Sequence, residues 1–213
     1  MATAVDVEAI ERATAAAVTP HEVLEIGDWL VTLDPGTIRR ASSAVPLRHD
    51  LACDVAVLDE IEAAYAARGL KPAFRIADAP GLEDVRVELR RRGYVSEQPT
   101  LVKTGGVLGM IAGARGEPAR VEGAPSPGWA AVFTSEGFDP ADGANRVAAL
   151  SRSPDAVYGG VSDGGRTIAV GVAAFGHGWA SVHGMRTDKA TRIEKTAPAE
   201  IRKDVKRALA DAR

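Results

Sequence analysis

Residues 156–187 read AVYGGVSDGGRTIAVGVAAFGHGWASVHGMRT, and the fold class turns on them. Three apolar runs, 156–161, 167–175 and 179–186, are joined by Ser162-Asp163-Gly164-Gly165 and Gly176-His177-Gly178. A parallel crossover needs a dozen or more residues, so joints this short predict one antiparallel three-strand meander. Upstream, Asp139-Pro140 opens an expected helix over 139–151 that can cover one face of it. Downstream, Ile201, Val205, Ala208 and Leu209 recur at helical spacing and predict an amphipathic helix over 199–212.

The first half alternates helices and strands. Asp6 can cap a helix reaching Val18, and Thr19-Pro20 ends it. Strands are expected over 28–33 and 37–45, around the turn Asp34-Pro35-Gly36. Val55, Leu58, Ile61, Ala64 and Tyr65 lie at helical spacing within 51–68, which Gly69 closes. A short strand over 72–77, a helix over 81–92 stopped by Gly93, and an extended segment over 94–103 follow. Residues 104–128 hold seven glycines and three prolines and read as a linker, with a strand end or hairpin at 107–112. The expected organisation is an N-terminal half over 1–103, the linker over 104–128 and a C-terminal half over 129–213. The class is α+β.

Composition narrows the function. The chain has 213 residues, 46% hydrophobic and 26% charged, which is ordinary for a globular protein. Cys53 is the single cysteine, which removes disulfide frameworks and cysteine-based zinc sites. A net charge of -3 leaves no nucleic-acid footprint, and no apolar run has the length of a membrane span. The expectation is a cytoplasmic protein with neither nucleic acid nor membrane as partner. The 25 residues from Lys189 carry eight basic and four acidic side chains and no glycine, unlike everything before them.

Residue chemistry alone stops short of an activity. His177 and His183 could serve as a base or as ligands, but no carboxylate stands at a metal-site spacing; no metal is expected. His177 sits in a Gly-His-Gly turn, where solvation explains it. The pairs Gly159-Gly160 and Gly164-Gly165 match no phosphate-loop pattern, and hairpin service accounts for them. Arg90-Arg91-Arg92 end a helix whose dipole favours cations. Glu60, Glu62 and Tyr65 fit a helix surface beside a core, and Cys53 fits a small buried hydrophobe.

Two stretches resemble the two-part GNAT-family N-acetyltransferases. Trp29-Leu30 followed by Pro35-Gly36-Thr37-Ile38-Arg39-Arg40-Ala41-Ser42-Ser43-Ala44-Val45-Pro46-Leu47 is similar to that family's N-terminal signature, with Ser42 in place of its asparagine. Gly69-Leu70-Lys71-Pro72 and Leu89-Arg90-Arg91-Arg92-Gly93-Tyr94 continue it. Gly178-Trp179-Ala180-Ser181-Val182-His183-Gly184-Met185-Arg186-Thr187 resembles the strand that precedes the family's acetyl-CoA loop. The resemblance implies a GNAT-like α+β fold, a central mostly antiparallel sheet with flanking helices, in two tandem halves, the second incomplete. It implies acetyl-CoA as co-substrate, its pantetheine arm laid along the strand over 179–186, and transfer to a small-molecule or peptide amine by direct attack on the thioester. Met185, Arg186, Thr187, Arg192 and Ala197 are the implied cofactor contacts. His183 is the one candidate for a catalytic role.

The ending departs from the family's pattern. Lys195 stands where the phosphate loop has its first glycine, Pro198 follows, and the chain ends where the family continues with a strand, a helix and a hairpin. A divergent or truncated ending is therefore expected. It keeps open a degenerate GNAT-like protein that binds a ligand or partner without catalysis, and a half-fold completed by a second chain. A homodimer is compatible with the latter.

Overall fold

The computed structural model describes residues 6–113 and 119–189. The chain forms two compact units, residues 1–15 with 20–103 and residues 16–19 with 104–213. Each unit is a sheet with helices.

The first unit begins with α1 (Val7–Val18), whose Ala9 N–H is capped by the Asp6 carboxylate at 3.0 Å. β1 (Glu22–Ile26), β2 (Trp29–Leu33) and β3 (Ala44–Pro46) form an antiparallel sheet in that order. Next come α2 (Val55–Ala66) and, after the 3-10 turn Pro80–Leu82, α3 (Glu83–Arg91). Trp29, Val31, Leu33, Ala44, Leu58, Ile61, Tyr65, Leu82, Val85 and Leu89 make the main core. Leu30 and Val45 pack with Ala15 of α1 in a second cluster. Residues in one strand alternate faces, so the sheet is sandwiched between α1 and the α2–α3 pair.

Three expectations change here. The strand expected over 37–45 is mostly loop; only Ala44–Pro46 is strand, after the 3-10 turn Arg39–Ala41. Local polar side chains take over the ladder's role, as Asp34 accepts the Gly36 N–H at 2.7 Å and Thr32 Oγ1 accepts the Ser43 N–H at 3.1 Å. The strand expected over 72–77 shrinks to one parallel bridge, Ala44 to Phe74. Pro72 has no N–H to offer a ladder. β1 went unread although Gly27-Asp28, with Gly27 at φ 54°, is a two-residue hairpin joint.

The second unit contains α4 (Val107–Ala112), β4 (Arg120–Glu122), α5 (Pro127–Phe133), α6 (Pro140–Leu150), β5 (Ala156–Asp163), β6 (Arg166–Gly176) and β7 (Trp179–Thr187). The strands form one antiparallel sheet in the order β4-β5-β6-β7. Both meander joints are tight reversals with consecutive positive φ, Gly164 (54°) and Gly165 (82°), then His177 (51°) and Gly178 (76°). Residues 107–112 form a helix, not the expected strand end or hairpin; a six-residue apolar run has no period that separates the two. Val107 packs with Val157, Ala173, Phe175 and Val182 on one sheet face. The opposite face carries Trp129 and Phe133 of α5, with Tyr158 edge-on to Trp129 at 5.3 Å. Ser126 caps α5 through the Trp129 N–H and Pro127 occupies its first turn, where a missing donor costs least. The helix expected over 199–212 lies outside the described residues.

Candidate functional site

β7 is the strand to examine, because among the described residues no strand pairs with its outer side. Its pairing with β6 runs evenly from Gly176–Trp179 to Val172–His183, then breaks, and resumes at Val170–Arg186. Gly184 and Met185 together oppose Gly171, which is a β-bulge. Gly184 is the reason it forms here. Its φ is 56°, and a Cβ would stand 2.5 Å from Leu150 Cδ1, so the backbone lies against α6 in a conformation side chains resist.

The bulge changes which groups turn outward. Phe175 donates its N–H to Asp155 O at 2.8 Å, so Ala174 and Val172 are the residues that face β7. Ser181 and His183 answer them, leaving the amides of Ala180 and Val182 on the open edge. Beyond the bulge, Asp188 donates inward to Ile168 O at 2.8 Å, so it is Thr187 that turns outward. The outward phase passes from even to odd numbers.

The side chains separate just as sharply. His183 is 4% exposed, and its Nε2 lies 2.6 Å from Ser181 Oγ. Met185, which strict alternation puts on the same face as His183, is 42% exposed because the extra residue turned it away. The Arg186 guanidinium donates to Phe133 O at 3.0 Å and to Asp142 at 3.4 Å, and lies 4.2 Å from the Phe138 ring centroid. It is occupied within the protein. Asp142 also holds Arg146 at 2.8 Å. Thr187 is buried, as is Asp188, which pairs with Arg166 at 2.8 Å. Met185, Arg186 and Thr187 thus share one strand end, while Arg192 and Ala197 lie outside the described residues.

The other sequence candidates have partners that explain them. Arg91 and Arg92 both bond Glu88, and they pull its carboxyl from an ordinary 4.5 to about 2. Arg92 also reaches Asp59 and Glu62, and Glu62 accepts the Tyr94 hydroxyl at 2.7 Å. Tyr65 donates to Thr32 O at 2.9 Å within the core. Burial raises the Cys53 thiol, the opposite of what a nucleophile needs. A depression of about 500 Å³ at Pro154, Asp155, Val157 and Phe175 lies toward the hairpin end of β6, away from the bulge. Among the described residues no helix is long and apolar enough to cross a membrane, and no three His, Cys, Asp or Glu side chains gather as a metal site.

Sequence reasoning missed the bulge and the links from Arg186 to α5 and α6. The lone Gly184 inside an apolar strand is the signal that could have located the first. Comparison with known proteins agrees with this fold. A GCN5-related N-acetyltransferase from Kribbella flavida has a similar structure, with TM-score 0.63 and 15% identity over 97% of this chain and 82% of the other. No curated protein matches. Residues 4–204 match the family described as "Probable histone acetyltransferase Rv0428c C-terminal". With nearly the whole chain inside that match and the sheet built as described, the protein belongs to this family of GNAT acetyltransferases.

Proposed function

We propose that the protein is an acetyl-CoA-dependent N-acyltransferase that moves an acetyl group to a primary amine. One observation carries the reading: the open, bulged edge of β7, with outward amides at Val182 and Thr187 on either side of Gly184 and Met185. An extended pantetheine arm, itself an amide chain, fits such an edge as an added strand would. Acetyl-CoA supplies an activated thioester carbonyl. Bulge N–H groups freed from the ladder can donate to its oxygen, where negative charge grows as an amine attacks. The amine nitrogen forms the new C–N bond as the C–S bond breaks; CoA leaves as its thiolate, and the proton the nitrogen gives up passes through solvent to that sulfur. Arg192 and Ala197 are proposed contacts for the pyrophosphate. Since its guanidinium is engaged by Phe133 O and Asp142 and its backbone pairs with Val170, Arg186 acts through what it holds.

The acceptor is a small-molecule or peptide amine, and the family description's mention of histones makes a lysine-rich basic peptide the first probe. A second reading, a GNAT-like protein that binds without catalysis, draws on the burial of His183, which leaves that ring no path to an incoming amine. His183 then positions β7 through Ser181. Isothermal titration with acetyl-CoA and CoA, followed by thiol-release assay with the peptide, tests both. Binding with turnover is expected. Binding without turnover on any amine favours the second reading, and no binding of either nucleotide overturns the first.

A further inference from the structure

The connection between α5 and α6, residues 134–139, is tied to the end of β7 by two cations that the transfer chemistry does not use. Arg186 lies over the rings of Phe133 and Phe138, 5.1 and 4.2 Å from their centroids. Lys189 Nζ is 5.3 Å from the same Phe138 centroid and donates to Gly137 O. Phe138 is therefore clasped by both. Gly137 makes the clasp feasible: it sits at φ 83°, and a Cβ there would stand 2.5 Å from Lys189 Cδ, so the lysine stem runs directly across its backbone. Gly143 fixes the far side, because a Cβ on it would lie 2.2 Å from Phe133 O. At its ends the connection bonds to the helices, Ser135 Oγ donating to Val132 O at 3.0 Å and Asp139 accepting the Ala141 N–H at 2.8 Å; between them it has one turn, Phe138 N–H to Ser135 O at 3.2 Å.

We propose that Lys189 is a positioning residue: through Phe138 and Gly137, together with Arg186, it holds residues 134–139 in place as the acceptor-side wall of the acyl-transfer site. This rests on the acyl-transfer reading. The thioester donor takes the outer edge of β7, whereas the connection is anchored by the side chain of Arg186, the residue that follows the bulge. An amine that reaches a carbonyl at the bulge must pass this end of the strand. A short connection with one turn of its own is rigid only while something grips it. The grip here is a cation over a ring plus a charge-assisted hydrogen bond, and removing both shifts an equilibrium about tenfold.

The test is Lys189→Met, which keeps the stem and removes the ammonium, with Phe138→Leu as an independent variant and Lys189→Arg as the conservative one. Melting curves first establish that each is folded. Hydrogen exchange at the Phe138 amide should accelerate about tenfold in Lys189→Met and by a smaller factor in Phe138→Leu, which keeps the hydrogen bond to Gly137 O, and KM for the lysine-rich peptide should rise in step with each. Kd for acetyl-CoA should stay within about twofold. Lys189→Arg should restore both readouts, since it keeps a cation over the ring. Faster exchange with an unchanged peptide KM would make the clasp a structural tie only and overturn the proposal; unchanged exchange would overturn it outright. If the unmodified protein fails to bind acetyl-CoA, the acyl-transfer reading falls and the acceptor role with it, while the exchange data still decide whether Lys189 grips the connection.

Discussion

Replacing Gly184 with alanine puts the bulge to the most direct trial. Two costs add. At φ 56° an alanine pays for the left-handed conformation, about 1–2 kcal/mol. Its Cβ would also arrive 2.5 Å from Leu150 Cδ1, with Cγ and Cδ2 at 3.7 Å. Leu150 is 2% exposed, and its carbonyl accepts the Tyr158 hydroxyl at 2.9 Å, so its retreat disturbs the end of α6. Overpacking of that kind costs about 1–3 kcal/mol. The total is roughly 2–5 kcal/mol, a fall in melting temperature on the order of 5–15 °C. A thermodynamic cycle with Leu150→Ala divides it. With the leucine shortened, Gly184→Ala should cost only the backbone part, about 1–2 kcal/mol. A variant that melts within about 2 °C of the unmodified protein and binds acetyl-CoA equally well would refute the claim that the bulge depends on glycine.

Trp129→Phe should lower stability by about 1–2 kcal/mol, because it keeps a ring in the core but deletes the Nε1 donor to Gly171 O at 3.2 Å; an unchanged denaturation midpoint would count against that. Glu88, held near 2 by Arg91 and Arg92 against an ordinary 4.5, favours the folded state above the higher value and loses that contribution as pH falls toward the lower. Glu88→Gln should therefore melt below the parent near pH 6–7 and match it by about pH 2, and a difference that survives at low pH would contradict the assignment.

How far the sequence could be read depended on whether a signal was local. The meander was legible because Gly164-Gly165 and His177-Gly178 each specify a reversal within two residues. The helix at 55–66 was legible from its apolar spacing, though its start at the Asp54 cap was not, and the helix at 140–150 from Asp139-Pro140, whose carboxylate does cap it. Thr37 to Ser43 misled because strand-like composition says nothing of Thr32 binding Ser43 from the neighbouring strand. At the site the strand was legible and its contents were not. Alternation put Met185 with His183, and one added residue undid that. The engagement of Arg186 with Asp142 spans 44 positions, and no periodicity reports it.

The phase change along β7 also bears on what can pair with its outer edge. An uncovered strand edge invites a second strand, from another molecule, to zip onto it. Such a zipper needs partners at every other residue without interruption. On β7 the outward amides run Ala180, Val182, then Thr187, so the interval beyond the bulge is odd. A regular polypeptide strand that registers with Val182 is out of step at Thr187 and can bind only a few residues before it must leave. A ligand whose hydrogen-bonding groups are few and unevenly spaced meets no such penalty. One added residue thus works as a filter, setting a long regular strand out of step at this edge while leaving it able to take a short, irregular chain.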